Sequence, residues 1–236
     1  MIRAVVVDVE GTTSSLGHVR EILFPYARER VSAWVRAAGP GVPEILDQVR
    51  AFAGRPDAGA AEVAAILGDW IDRDVKAAPL KDLQGLIWEA GFAAGELTAH
   101  VYDDVPPALH AWTGAGLRIH VYSSGSVLAQ RLWFRNTRHG DLLPYFAGHF
   151  DITTAGPKRE PGSYRRIAHT LALHPPELVF LSDSRAELDA ARAAGLRTVG
   201  VSRPEDGSPD TGDHPAVTGF DRLHLSGLRI EVPDVA

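Results

Sequence analysis

The sequence predicts an α/β protein: a parallel sheet covered on both faces by helices, with an all-helical insertion after the first strand. Three observations carry this. Five short apolar or β-branched runs punctuate the 236 residues, at Arg3–Val7, Arg118–Tyr122, Gly148–Ile152, Leu178–Leu181 and Thr198–Val201. Four of them are too apolar to alternate, as strands buried on both faces are. Helical stretches separate the runs, which implies crossover connections, and between Leu16 and His100 nothing reads as a strand.

Taken in order, the first run ends at Asp8-Val9-Glu10-Gly11-Thr12. The insertion then reads as helices over Val19–Ala37, Pro43–Phe52, Ala60–Asp72 and Asp82–Leu97. Gly39-Pro40-Gly41 and Gly54-Arg55-Pro56-Asp57 act as breaks between them. Beyond it, Val105–Thr113 carries Pro106 and Pro107 in its first turn, where the missing N–H has no helical partner to lose. Val127–Asn136, Ser163–Leu171 and Ala186–Ala194 come after the second, third and fourth runs. Gly116 and Gly195 stand where a helix stops before the next strand. Pro204–Pro215, rich in Pro, Gly and Asp, reads as loop. The expected organisation is a core of residues 1–16 and 99–236 and an inserted helical domain of residues 17–98. A prior of ~150 residues per domain accommodates both.

Composition narrows the function. With no Cys, there is no disulfide framework, thiol nucleophile or Cys-ligated zinc. The N-terminal apolar run meets Asp8 and Glu10, which is no signal peptide. No stretch approaches the ~20 apolar residues of a membrane span. A net charge of -6 disfavours nucleic acid as a partner. A cytoplasmic protein is expected. Lys is scarce: Lys76, Lys81 and Lys158 are the three lysines among 24 basic residues, so each position invites a question.

In open parallel sheets, ligands bind beyond the carboxyl ends of the strands. The residues just past each run are therefore the first candidates for a site. Asp8 and Glu10 stand past the first, Ser123-Ser124-Gly125-Ser126 past the second, Thr153-Thr154 and then Lys158 past the third, and Ser182-Asp183 past the fourth. Residues two apart on a strand share a side, so Asp8 and Glu10 are expected to face one centre. Gly11 permits a sharp exit and close backbone approach to an anion. A helix N-cap acid with a solvated neighbour is the competing account of that pair. Asp183 tips the balance, because three converging carboxylates need a cation, and Mg²⁺ takes carboxylates together with waters and phosphate. Lys158 supplies counter-charge for phosphoryl transfer, or is an ordinary solvated lysine. Ser123 donates to a phosphate, or simply caps the next helix.

The order Asp8-Val9-Glu10-Gly11-Thr12, Ser123, Lys158, Asp183 resembles the haloacid dehalogenase (HAD) superfamily of aspartate-nucleophile phosphatases. Generic members carry Asp where this chain has Glu10. That change, with Leu23-Phe24-Pro25-Tyr26, Leu83-Gln84-Gly85-Leu86-Ile87-Trp88, Tyr122-Ser123-Ser124-Gly125-Ser126-Val127 and Gly148-His149-Phe150-Asp151, resembles the enolase-phosphatase (acireductone synthase) family of methionine salvage. The resemblance runs from the first strand to about Val201. It implies a HAD-like, Rossmannoid core with the insertion as cap. It also implies a monomer acting on a phosphorylated diketone, 2,3-diketo-5-methylthiopentyl-1-phosphate, through its enol to the acireductone and phosphate. By that analogy Asp8 attacks phosphorus, Glu10 is acid and base, and Asp8, Glu10 and Asp183 surround Mg²⁺. Ser123 and Ser124 bind the phosphate, and Lys158 pairs with phosphate and nucleophile.

Within the cap, Lys81, Gln84, Trp88 and Phe92 follow helical spacing. Trp88 and Phe92 read as packing, whereas Lys81 and Gln84 can close over substrate. Phe24 and Tyr26 also read as packing. Glu187 is either an acid supporting the metal site or a first-turn acid favoured by the helix dipole. A general sugar-phosphate phosphatase or phosphomutase, and a receiver-like signalling module, are the alternatives. The insertion and Glu10 disfavour the latter.

Overall fold

A computed structural model of the chain describes residues 1–226 and 229–231. The elements are β1 (Ala4–Val7), α1 (Leu16–His18), a π-helical turn Val19–Leu23 leading into α2 (Phe24–Ala37), α3 (Val42–Ala53), α4 (Ala60–Asp72) and α5 (Ala78–Ala93). Then come α6 (Val105–Gly114), β2 (Arg118–Tyr122), α7 (Val127–Arg135), β3 (Phe146–Phe150), α8 (Pro161–Thr170), β4 (Leu178–Ser182), α9 (Arg185–Ala193), β5 (Arg197–Val201), β6 (Ala216–Val217), β7 (His224–Ser226) and β8 (Arg229–Glu231). Six strands form one sheet in the order β3-β2-β1-β4-β5-β6, and every pairing within it is parallel. β7 and β8 form a separate antiparallel pair.

The chain divides into two compact units, residues 1–16 with 99–236, and residues 17–98. In the first, β1 and β4 are wholly buried strands. Their side chains on one face join Tyr122, Tyr164, Ile167, Leu188 and Ala191 in a core between sheet and helices. Burial on both faces is what their unbroken Val and Leu content demands.

The second unit is helical throughout. Ala27, Val31 and Val35 of α2, Val63 and Leu67 of α4, and Leu80, Leu83 and Ile87 of α5 recur at helical spacing and meet in one apolar core. Trp88 Nε1 donates to Leu23 O at 2.9 Å and its ring stacks on Phe24. Gln84 and Phe92 are buried. Tyr26 donates to Glu96 Oε2 at 2.9 Å and lies under the Arg30 guanidinium. Phe24, Tyr26, Trp88 and Phe92 therefore serve packing.

Several boundaries differ from the sequence-based expectation. β3 begins and ends two residues early, at Phe146–Phe150 rather than Gly148–Ile152. The cause is Asp151, whose Oδ1 accepts from Thr153 N at 3.0 Å and Thr154 N at 2.8 Å, folding the chain into a turn directly after Phe150. α5 starts at Ala78, with Pro79 in the first turn. The stretch Pro204–Pro215 contains a 3₁₀ turn at Pro204–Asp206, and the two- and three-residue strands β6 to β8 fall outside the five expected runs. Among the described residues, no helix is long and apolar enough to cross a membrane.

Candidate active site

The sheet order reverses between β1 and β4: the chain works outward from β1 through β2 to β3, then returns to β4 on the other side. Such a switch point opens a crevice at the carboxyl ends of the strands. Register delivers residues to it. Val7 lies opposite both Val121 and Leu181, so Asp8, Ser123 and Ser182-Asp183 leave the sheet along one edge.

Asp8 is 5% exposed. Its Oδ1 accepts from Val9 N at 2.7 Å and pairs with Lys158 Nζ at 2.6 Å. Its Oδ2 lies 3.4 Å from Ser182 Oγ, which donates to it. Lys158 Nζ is also 2.6 Å from Glu187 Oε2, which accepts from Ser182 Oγ at 3.1 Å. An ammonium buried this deeply is expected to lose its proton. Burial pulls the Lys158 pKa down, but Asp8 and Glu187 outweigh that and hold it above the ordinary lysine value. The loop that presents Lys158 is pinned from below: Tyr164 donates to Lys158 O at 2.7 Å, Ser163 to Pro157 O at 2.7 Å and Tyr122 to Gly156 O at 2.6 Å. Glu187 is thus more than a first-turn acid, since it is tied to Lys158 and Ser182.

The Asp8–Glu10 segment differs from the strand geometry expected of it. β1 ends at Val7, and the backbone N–H groups of Thr12, Thr13 and Ser14 all donate to Val9 O. The ladder reaches Asp8, whose N–H donates to Leu181 O at 3.0 Å, but period-two alternation does not extend to Glu10. Glu10 is half-buried and forms an isolated bridge with Ser14. Gly11 adopts φ +73°, and its N–H donates to Ser14 O at 2.7 Å rather than pointing at a ligand. The group that approaches it is Asp183: a Cβ at Gly11 would lie 2.3 Å from Asp183 Oδ2. Asp183 N donates to Thr12 Oγ1 at 3.0 Å.

Ser123 is buried; its N–H donates to Phe150 O and its Oγ accepts from Gly125 N at 3.2 Å. The helix-capping role belongs to Ser126, whose Oγ accepts from Ala129 N at 3.2 Å. Ser124 beside it is exposed. Lys81 sits in the first turns of α5, within the helical unit, and is half-buried. Lys76, the third lysine, is exposed and pairs with Asp74.

The donors around Asp8 suit a hard divalent cation. They are carboxylate oxygens, and one registers the want of positive charge. Burial, then the charges of Asp8 and Glu187, push the Asp183 carboxyl up to about 7, despite Lys158. Glu187 is pushed up to about 6, by burial first and Asp8 second. A cation among these groups relieves that repulsion. A tighter cluster lies elsewhere. Asp189, Asp213 and His214, rather than Asp8, Glu10 and Asp183, bring their ligand atoms within 4.8 Å of one another. That trio is already satisfied: Arg192 pairs with both acids, and His214 Nδ1 is 2.7 Å from Thr198 Oγ1.

Residues to which sequence reasoning assigns no role complete the site. Ser182 bridges Asp8 and Glu187, Thr12 meets Asp183, and Arg203 grips the Thr12 carbonyl through Nε at 3.0 Å and Nη2 at 2.8 Å. Only Ser182 and Thr12 carry a sequence signal, standing beside strand-end acids.

Known proteins share this sequence family and fold. Residues 2–195 match the model of the haloacid dehalogenase-like hydrolases. Enolase-phosphatase E1 of Streptomyces avermitilis is 54% identical over 95% of this chain and 96% of that protein. Enolase-phosphatase E1 of Frankia alni is 56% identical over 90% and 91%. The crystal structure of the UTR4 protein of Saccharomyces cerevisiae superposes with a TM-score of 0.82 at 32% identity, covering 94% of this chain and all of that one. CbbY of Rhodobacter sphaeroides, solved with phosphate, shares the fold at a TM-score of 0.59 and 19% identity. The chain therefore belongs to the haloacid dehalogenase-like hydrolases and, within them, to the enolase-phosphatase family.

Proposed function

We propose that this chain is a Mg²⁺-dependent enolase-phosphatase that converts 2,3-diketo-5-methylthiopentyl-1-phosphate, through its enol, to the acireductone and phosphate. The observation that carries the reading is the buried Asp8–Lys158–Glu187 cluster at the switch point of the sheet. A carboxylate in that setting has one cationic neighbour and a hydroxyl to orient it, which suits a nucleophile facing an anionic phosphoryl group.

Asp8 attacks phosphorus, and the bond from phosphorus to the ester oxygen breaks. Glu10 gives its proton to the leaving oxygen. Water then attacks the aspartyl-phosphate, Glu10 takes the proton, and phosphate leaves with Asp8 restored. Lys158, kept protonated by Asp8 and Glu187, offsets the negative charge that gathers between nucleophile and phosphoryl oxygens. Ser123, Ser124 and Lys158 bind the phosphate, and Lys81 is assigned to substrate binding. Asp8, Glu10 and Asp183 would hold Mg²⁺, which supplies charge neutralisation at the phosphoryl group and a Lewis acid for the carbonyl. The family resemblance implies a cytoplasmic monomer.

The test monitors enol absorbance and phosphate release together on the diketone phosphate with Mg²⁺. Wild type should show both, and Asp8→Asn should release no phosphate while keeping its fold. Preference for ordinary hexose phosphates, or substantial phosphate release by Asp8→Asn, would refute the reading.

A further inference from the structure

Arg203 lies just past β5 and is 3% exposed. Nη1 donates to Asp104 Oδ1 at 2.9 Å and Oδ2 at 2.8 Å. Nε and Nη2 both converge on one main-chain oxygen, that of Thr12. The group lies against two aromatic rings, 4.2 Å from the centroid of Tyr102 and 5.2 Å from that of Phe220. Asp104 is further fixed by the Phe220 N–H, which donates to it. A buried ion pair is poorly explained as a device for stability, because an apolar pair of similar volume commonly serves the fold as well. A planar fork closing on a single carbonyl is better explained by position.

The gripped residue is informative. Thr12 is wholly buried. Its carbonyl is held by Arg203 and its hydroxyl accepts from Asp183 N, so one residue ties the turn after β1 to the end of β4. Glu10 lies two residues before it, across Gly11, whose backbone is packed against the Asp183 carboxylate. Displacing the Thr12 carbonyl therefore shifts the spacing between Glu10 and Asp183.

From this we infer that Arg203 is a positioning residue: its clamp on the Thr12 carbonyl sets the geometry of Glu10 and Asp183 for the phosphatase half-reactions. The inference rests on the phosphatase reading above but not on the identity of the substrate. Because Glu10 is assigned the proton transfers, a slack turn slows turnover more than it weakens binding, and the hydrolysis of phosphorylated Asp8 suffers with it.

The decisive variant is Arg203→Met combined with Asp104→Asn, which removes both charges and keeps an acceptor for the Phe220 N–H. Wild type and double variant are compared on p-nitrophenyl phosphate for kcat, KM, thermal midpoint and the fraction of acid-trapped phosphoenzyme. The expected result is a thermal midpoint near that of wild type, kcat down at least about tenfold, KM within about threefold, and more phosphoenzyme at steady state. A double variant that is stable and turns over like wild type would overturn the inference and leave Arg203 to the fold. Should that variant fail to fold, Arg203→Lys decides. In it Asp104 keeps a buried cationic partner while the planar fork that closes on the Thr12 carbonyl is lost, and an unchanged kcat overturns the clamp. The functional reading is judged separately, by wild-type turnover of the diketone phosphate, and either can fail while the other stands.

Discussion

Gly11→Ala separates backbone strain from damage to the site, because two costs act at this one atom. The residue holds φ +73°, a conformation that costs an L-residue roughly 1–2 kcal/mol. The added Cβ would also lie 2.3 Å from Asp183 Oδ2 and 2.6 Å from its Cγ. Restoring an ordinary contact requires the carboxylate to retreat by about 1 Å, and a misplacement of that size costs about 10²-fold in rate, or ~2.7 kcal/mol of transition-state stabilisation. Gly54→Ala is the control. Gly54 holds φ +66° with nothing within 4 Å of its added Cβ, so it carries the strain without the clash. Both variants should lose a few degrees of thermal midpoint, at roughly 2–4 °C per kcal/mol for a chain of this length. Only Gly11→Ala should lose about two orders of magnitude in phosphate release. If both retain kcat within about threefold of wild type, the contact between Gly11 and Asp183 does not govern the chemistry.

Three further outcomes are expected. Chelation should stop phosphate release and added Mg²⁺ should restore it; turnover indifferent to chelator removes the metal from the mechanism. Lys81→Ala should impair the diketone phosphate more than p-nitrophenyl phosphate, whereas equal losses assign Lys81 to the scaffold. His120 has neither ring nitrogen partnered among the described residues, and burial first, with Arg118 and His149 second, pushes its pKa down to about 4. The unfolded chain, with an ordinary value near ~6.5, then binds a proton the folded chain refuses. Stability is full above that value and falls as pH drops toward 4, by about 2 kcal/mol at pH 5. His120→Leu should lose correspondingly less between pH 7 and pH 5 in denaturant titrations, and an undiminished pH dependence would contradict the assignment.

The legibility of this protein depends on how far each interaction reaches along the chain. Strands covered on both faces must be apolar throughout, so β1, β2, β4 and β5 announce themselves locally. The helical insertion does so through its long helical periodicity, unbroken by any strand-like run. β3 lies two residues from its apolar pattern because its end is set by a side chain, Asp151 capping Thr153 and Thr154. β6 at two residues and the pair β7 and β8 at three each are too short to carry a period at all.

The site divides on the same physical line. Asp8, Ser123, Lys158 and Asp183 are visible because an open parallel sheet confines ligands to its carboxyl edge, so position alone nominates them. Scarcity helps with Lys158: one lysine of three falls where a cation is wanted, and the structure buries it between Asp8 and Glu187. Arg203 has neither advantage. It is one of many arginines, it sits in a loop, and the carbonyl it grips lies 191 residues away. No local period can encode a guanidinium paired with a main-chain oxygen at that separation. The strand argument carries Asp8 but stops short of Glu10 for a related reason. Alternation holds only while the ladder continues, and after Asp8, whose N–H still donates to Leu181 O, the chain closes on Val9 O instead. A carboxylate's place past a strand end is thus read from sequence, but its direction is set by the turn that holds it. In this chain that turn is fastened from outside, by Arg203 at one end of Thr12 and Asp183 at the other.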